Sequence, residues 1–172
     1  MALITMNDRT LLRDTLSREL VHAEHDARIH TRRLARRLGD TPPGNALMAI
    51  SEHAAEVEPS LAKLCKTRTA GTWLGDLIAQ LKFAIADRFA TPDRAFRATL
   101  AELKRGVDAA RLLREVVELT DDIELMRFCD LILVERLCLI EDAEHALVWF
   151  AEHPERHLLP QKTVEATVSS AA

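Results

Sequence analysis

Gly39-Asp40-Thr41-Pro42-Pro43-Gly44 is the strongest break in the chain, and its reading decides the fold. Two glycines, two prolines and a turn-forming Asp-Thr pair cannot continue a helix, so the chain is expected to reverse direction there. On the N-terminal side, positions 8–38 read as one long helix opened by Asn7 or Asp8, with Leu12, Leu16, Ala23, Ala27 and Leu34 recurring at helical spacing. On the C-terminal side, positions 45–66 read as a second helix with the stripe Ile50, Ala54, Val57 and Leu61. Pro59 is expected to kink or divide it.

Working outward, Thr72 caps a shorter segment, 73–89, whose Leu74, Leu77, Ile78, Leu81 and Ile85 share one face. Thr91-Pro92-Asp93 opens a helix that continues to about position 119, since proline suits a first helical turn. Thr120-Asp121-Asp122 caps the last helix, 123–153, which Pro154 ends; positions 154–172 read as a loose tail. With only 5 glycines and 6 prolines in 172 residues there are few turns, so positions 1–153 are expected to form one all-α domain of long helices.

Two helices carry more apolar surface than one bundle face uses. Positions 125–134 are apolar around most of the circumference, and 91–119 adds a stripe of Leu112, Val116 and Leu119 to its main face of Leu103, Val107, Ala110 and Val117. A fifth helix or a second subunit must cover that surface, and a homodimer is the simplest closed answer.

A net charge of −4 gives no global pull toward nucleic acid or an anionic membrane, and favours a protein or small-molecule partner. Arg28, Arg32 and Arg36 do form an outward basic row. Without interleaved aromatics, and with acidic residues crowding 121–144, that row reads as a solvated or oligomer-facing surface rather than a nucleic-acid site. Positions 1–18 show no signal-peptide pattern, and the apolar run 131–140 is interrupted by Glu135 and Arg136, so a cytoplasmic protein without a membrane span is expected. Cys65, Cys129 and Cys138 read as reduced, buried thiols.

No Gly-rich phosphate loop, nucleophile elbow, Cys-x-x-Cys or His-Glu-x-x-His run is present, so candidate chemistry rests on carboxylates and histidines. Glu19-Leu20-Val21-His22 has the spacing of a metal pair, but His22 projects about 120° from the apolar stripe and, with His25, should face water. Glu19 and His30 lie nearer the stripe yet are separated by roughly 16 Å of helix. In the second helix His53 and Glu58 sit on the stripe's margins. A hairpin around position 41 would set His30 and His53 at one level, as a metal-binding or pH-sensitive pair, or as two histidines each bonded to a neighbour. In the last helix Arg136 and Glu144 fall on the core side with Asp130 and Glu141 at its edge. Arg114 turns inward from the preceding helix, so an Arg–carboxylate network linking these two helices is expected. Glu141, Glu144 and His145 are the alternative ligands there.

Long helix, Pro/Gly turn, long helix, crossover segment and two further long helices is an order that resembles the ferritin-like superfamily, especially small bacterial ferritin-like stress proteins. The resemblance spans 8–153 and is carried by the element lengths, by the segment from Glu19 to Glu24 and by His53-Ala54-Ala55-Glu56. It implies an antiparallel four-helix bundle with 73–89 as an additional crossover helix. Members that bind two metals take a Glu from each of two helices and Glu-x-x-His from each of two others. This chain departs from that pattern: His53-x-x-Glu56 reverses the order, Asp142 and Asp108 project outward, and there is no tyrosine to serve as a radical site. The implied reading is a ferritin-like shape with a lost or incomplete metal site and no cofactor, a non-catalytic interaction or stress-related protein. Its alternative is a di-iron-type protein that binds iron or another transition metal through Glu19, His30, His53, Glu58, Glu141, Glu144 and His145.

Overall fold

The break at 39–44 does two jobs at once. Gly39 takes φ +69° and its N–H bonds the carbonyl of Ala35 at 2.9 Å, a left-handed C-cap that ends the first helix, α1 (Met6–Leu38). Thr41 is extended, its hydroxyl accepts from the Gly44 N–H at 3.2 Å, and Pro42 and Pro43 occupy the first turn of α2 (Pro42–Leu64), where a missing N–H costs nothing. A Cβ on Gly44 would lie 2.2 Å from the Gly39 carbonyl oxygen, so the hairpin closes only with glycine there. The second helix thus begins three residues earlier than expected, because the prolines that stop α1 also start α2.

The computed structural model describes residues 6–65 and 90–156, so the expected helix 73–89 lies outside the described residues, as do positions 157–172 of the expected tail. Among the described residues the structure is all-helical, without strands. It continues with α3 (Pro92–Glu118), α4 (Ile123–His145), the short α5 (Leu147–Glu152) and a single 3-10 turn, Pro154–Arg156. No described helix is long and apolar enough to cross a membrane.

Two of the expected boundaries change and one holds. Pro59 does not divide α2, because both Pro59 and Ala55, whose carbonyl loses its helical donor, face solvent. Asp122 caps α4 as expected, accepting from the Leu125 N–H at 3.2 Å after Asp121 has turned through φ 56°. The last helix is not continuous to 153: it breaks at Ala146, where the Trp149 N–H bonds the Ala146 carbonyl at 3.2 Å in a tightened turn. The bend aims Phe150 at Phe96 (ring centroids 5.4 Å apart) and stacks Trp149 on His153 at 4.4 Å.

α1 packs against α2 and α3, and α4 packs against the same two helices, so α1 and α4 face each other only across the centre. Two apolar clusters fill the interior. One joins Leu34 and Leu38 to Leu47, Ile50, Phe96, Leu100, Ile140 and Phe150. The other joins Leu16, Leu20 and Val21 to Val57, Leu61, Leu113, Val117, Leu125, Cys129 and Ile132. Each cluster therefore gathers the C-terminal parts of α1 and α4 with the N-terminal parts of α2 and α3, or the reverse. Serving two neighbours widens the buried face of α1 to include Leu20, Val21, Glu24, Thr31 and Ala35, while Leu12 is left exposed. In the second α3 stripe Val116 is buried but Leu112 and Leu119 are not. The apolar circumference of α4 is likewise uncovered outside: Leu131 and Val134 are 55% and 64% exposed.

Leu113 is fully enclosed and its neighbour Leu112 is half-exposed, which gives a direct check of this packing. Leu113→Ala is expected to lower stability by about 2–5 kcal/mol, and Leu112→Ala by no more than about 0.5 kcal/mol, in urea denaturation.

Candidate functional site

Between the two apolar clusters the interior is polar. Glu24 lies on the buried face of α1 between Val21 and Ala27, and Arg136 on that of α4 between Ile132 and Ile140. The Arg136 Nη2 donates to Glu24 Oε2 across the centre of the molecule, with the side chains 3% and 6% exposed. Arg136 Nε and Nη1 are enclosed without a hydrogen-bond partner among the described residues. Burial pushes the Glu24 carboxyl above its ordinary value, partly opposed by the attraction of Arg136 and then of His53. Burial also pulls the Arg136 guanidinium down, opposed by Glu24.

Around this pair lies a shell of shared ions and imidazoles. His53 of α2 places Nε2 3.0 Å from Glu135 Oε2 of α4, while its Nδ1 is buried without a hydrogen-bond partner among the described residues. Glu58, only 15% exposed, is held from α1 twice: Oε1 lies 2.9 Å from His25 Nδ1, and Oε2 lies 3.0 Å from Arg28 Nε. The same Nδ1 lies 3.3 Å from Arg28 Nη2; with a hydrogen it donates to Glu58, and with a lone pair it accepts from Arg28, so the carboxylate and the guanidinium compete for one ring nitrogen. Ser51 adds a tie between α2 and α1 by donating to the Arg28 carbonyl at 2.8 Å.

The residues singled out from sequence do not converge. His30 and His53 do not face one another: His30, half-buried beside Asp26, lines a cavity of about 510 Å³ that opens between α1 and α3 and reaches Glu24 and, on α4, Ile132 and Arg136, whereas His53 turns toward Glu135. The level of the hairpin does not fix azimuth, and α1 meets α3 with the side that carries His30. Glu19 lines the same cavity but is itself exposed. Glu141, Glu144 and His145 are exposed, contrary to the core placement of Glu144. α4 buries Arg136 and Ala143, and Glu144, about 100° round from Ala143, reaches the surface, where it pairs with Lys104. Among the described residues no three His, Cys, Asp or Glu side chains form a group that could hold a metal.

The expected network between α3 and α4 exists in another form. Arg114 reaches Asp130 at 3.1 Å together with Glu115 and Glu118, but it is a half-exposed surface cluster. Arg136 takes its carboxylate from α1 instead. Glu24 is the functional residue missed as a partner, and its position carried the signal: it falls at helical spacing from Leu16, Leu20, Val21 and Ala27, and an inward Arg136 requires an inward acid. His25 was expected in water and is drawn instead to Glu58.

Nucleophilic chemistry has little support here. Burial pushes the Cys129 thiol up to about 12 and raises Cys65 as well, so neither is a thiolate at neutral pH. Cys138, expected to be buried, is exposed on the outer side of α4. Compared with protein-family models, with curated proteins and with solved structures, the chain matches none.

Breaking the central pair from one side leaves a buried charge alone. Arg136→Ala is expected to cost about 3–5 kcal/mol in chemical denaturation, while the double substitution Glu24→Leu with Arg136→Met recovers most of that loss. The raised Glu24 carboxyl sets a pH dependence. The folded state holds its proton to higher pH than the unfolded chain, so its contribution is fully present below the ordinary 4.5 and is lost as pH rises through the folded value. Thermal melts across that range should show wild type losing ground to Glu24→Gln as pH rises; a difference of the opposite slope would mean that Arg136 outweighs burial.

Proposed function

We propose that this chain is a ferritin-like helical bundle without a working metal centre, in which the Glu24–Arg136 pair takes the central position, and that it acts as a non-catalytic interaction or stress-related protein. The observation that carries this reading is the buried guanidinium. A divalent cation about 4 Å from it would meet a repulsion on the order of 4 kcal/mol per unit of charge at an effective dielectric near 20. The carboxylate best placed to offset that charge, Glu24, is already engaged by Arg136.

The two clusters support the ferritin-like part. They imply that α1 and α4 run one way and α2 and α3 the other, with a single long connection between α2 and α3, which is the ferritin-like order of directions. The ligand pattern supports the loss of metal. Glu56, Asp108 and Asp142, the carboxylates nearest to that pattern in sequence, are all exposed. The working surface is then the outside of the bundle.

Protein purified without chelator and titrated anaerobically with Fe(II) is expected to hold well under one iron or manganese per chain, with no gain in thermal stability. Near-stoichiometric metal, lost on His53→Ala or Glu58→Ala, would overturn the reading in favour of the di-iron-type alternative.

A further inference from the structure

The outer side of α4 presents Arg127, Leu131, Val134, Cys138 and Glu141, all exposed. At 100° per residue they lie opposite the buried Leu125, Ile132, Arg136 and Ala143. Charged neighbours on its flanks are used inside the chain: Asp130 pairs with Arg114, and Glu135 with His53. Arg127 and Glu141 have no ion-pair partner among the described residues. What remains is an apolar strip with one unused positive charge at one end and one unused negative charge at the other.

Val134 stands at the middle of that strip. Arg127 and Glu141 lie seven residues to either side of it, Leu131 and Cys138 three and four, and Leu137 flanks it three residues on. We propose that the outer face of α4 is a self-complementary docking surface on which two copies of this chain pack α4 against α4, antiparallel, about a twofold axis at Val134.

A twofold axis there brings position 134 + n of one copy to the level of 134 − n of the other, as an isologous contact requires. Val134 meets Val134, Leu131 lies level with Leu137 across the seam and beside Cys138 on its own flank, and Arg127 of each copy opposes Glu141 of the other. A parallel pairing would oppose Arg127 to Arg127 and Glu141 to Glu141, so charge selects the antiparallel arrangement. The dimer names the partner of the interaction reading above, yet it stands or falls apart from the metal question, because α4 faces outward here whatever the core holds.

Sedimentation equilibrium at micromolar concentration is expected to give a dimer. Val134→Glu, which sets two carboxylates against each other at the axis, should abolish it without changing the helical circular dichroism. Arg127→Glu should weaken association about tenfold, and Arg127→Glu with Glu141→Arg should restore it, because the swap rebuilds both opposed pairs. Register has its own readout. The Cys138 residues of the two copies lie about 12 Å apart along the helix, too far for a disulfide, whereas Leu131→Cys comes level with Cys138 of the other copy to within one residue, on the same side of the seam. Mild oxidation should therefore cross-link Leu131→Cys and leave wild type uncross-linked. A wild-type monomer overturns the proposal, as does a dimer indifferent to Val134→Glu; a monomer destabilised by Val134→Glu would assign the face to another segment of the same chain.

Discussion

Everything in this bundle is arranged around one charge pair that crosses its diagonal. α1 and α4 share no packed face, yet Glu24 and Arg136 join them through the centre, between the two apolar clusters. Taking both groups out of water costs several kcal/mol each, which their attraction offsets only if the geometry is kept. A slip of either helix by one turn would leave a carboxylate and a guanidinium enclosed and apart. The pair therefore contributes little net stability but penalises every other register of α1 against α4.

This arrangement explains which parts of the fold could be read in the sequence. The turn at 39–44 was legible because its constraint is local: Gly39 supplies the positive φ, Thr41 the cap, and Gly44 the space for the Gly39 carbonyl, which a Cβ would occupy. The inward position of Arg136 was legible for the same reason, since Ile132 and Ile140 lie one turn to either side. Its partner was not. Choosing Glu24 requires knowing that α1 serves two neighbours and so buries a face wide enough to include it. The same ignorance of azimuth set His30 against His53, and took Glu144 for a core residue when Ile140 and Ala143 already fill that side.

The break at Ala146 shows a different limit. Nothing in Glu144-His145-Ala146-Leu147 forbids a helix; the chain bends there because Phe150 gains the face of Phe96, a contact 54 positions distant in sequence. Pro59 makes the converse point. A residue that ought to break a helix is tolerated because the one carbonyl it deprives, that of Ala55, is turned to water. In both cases the tertiary surroundings decide, and local propensity only biases.

The buried pair also fixes what the protein shows to the outside. Arg136 and Val134 are two residues apart on α4 and project to nearly opposite sides of it. Rotating α4 about its own axis by one residue would carry the guanidinium off Glu24 and turn Val134 toward a flanking helix. An all-apolar α4 would resist such a rotation weakly, because Leu131, Leu133, Val134 and Leu137 are nearly interchangeable as core residues. A single ion pair in the interior removes that degeneracy. The enclosed charge is thus the reason that Arg127, Leu131, Val134 and Glu141, rather than another set of four, form the surface that a second molecule would meet.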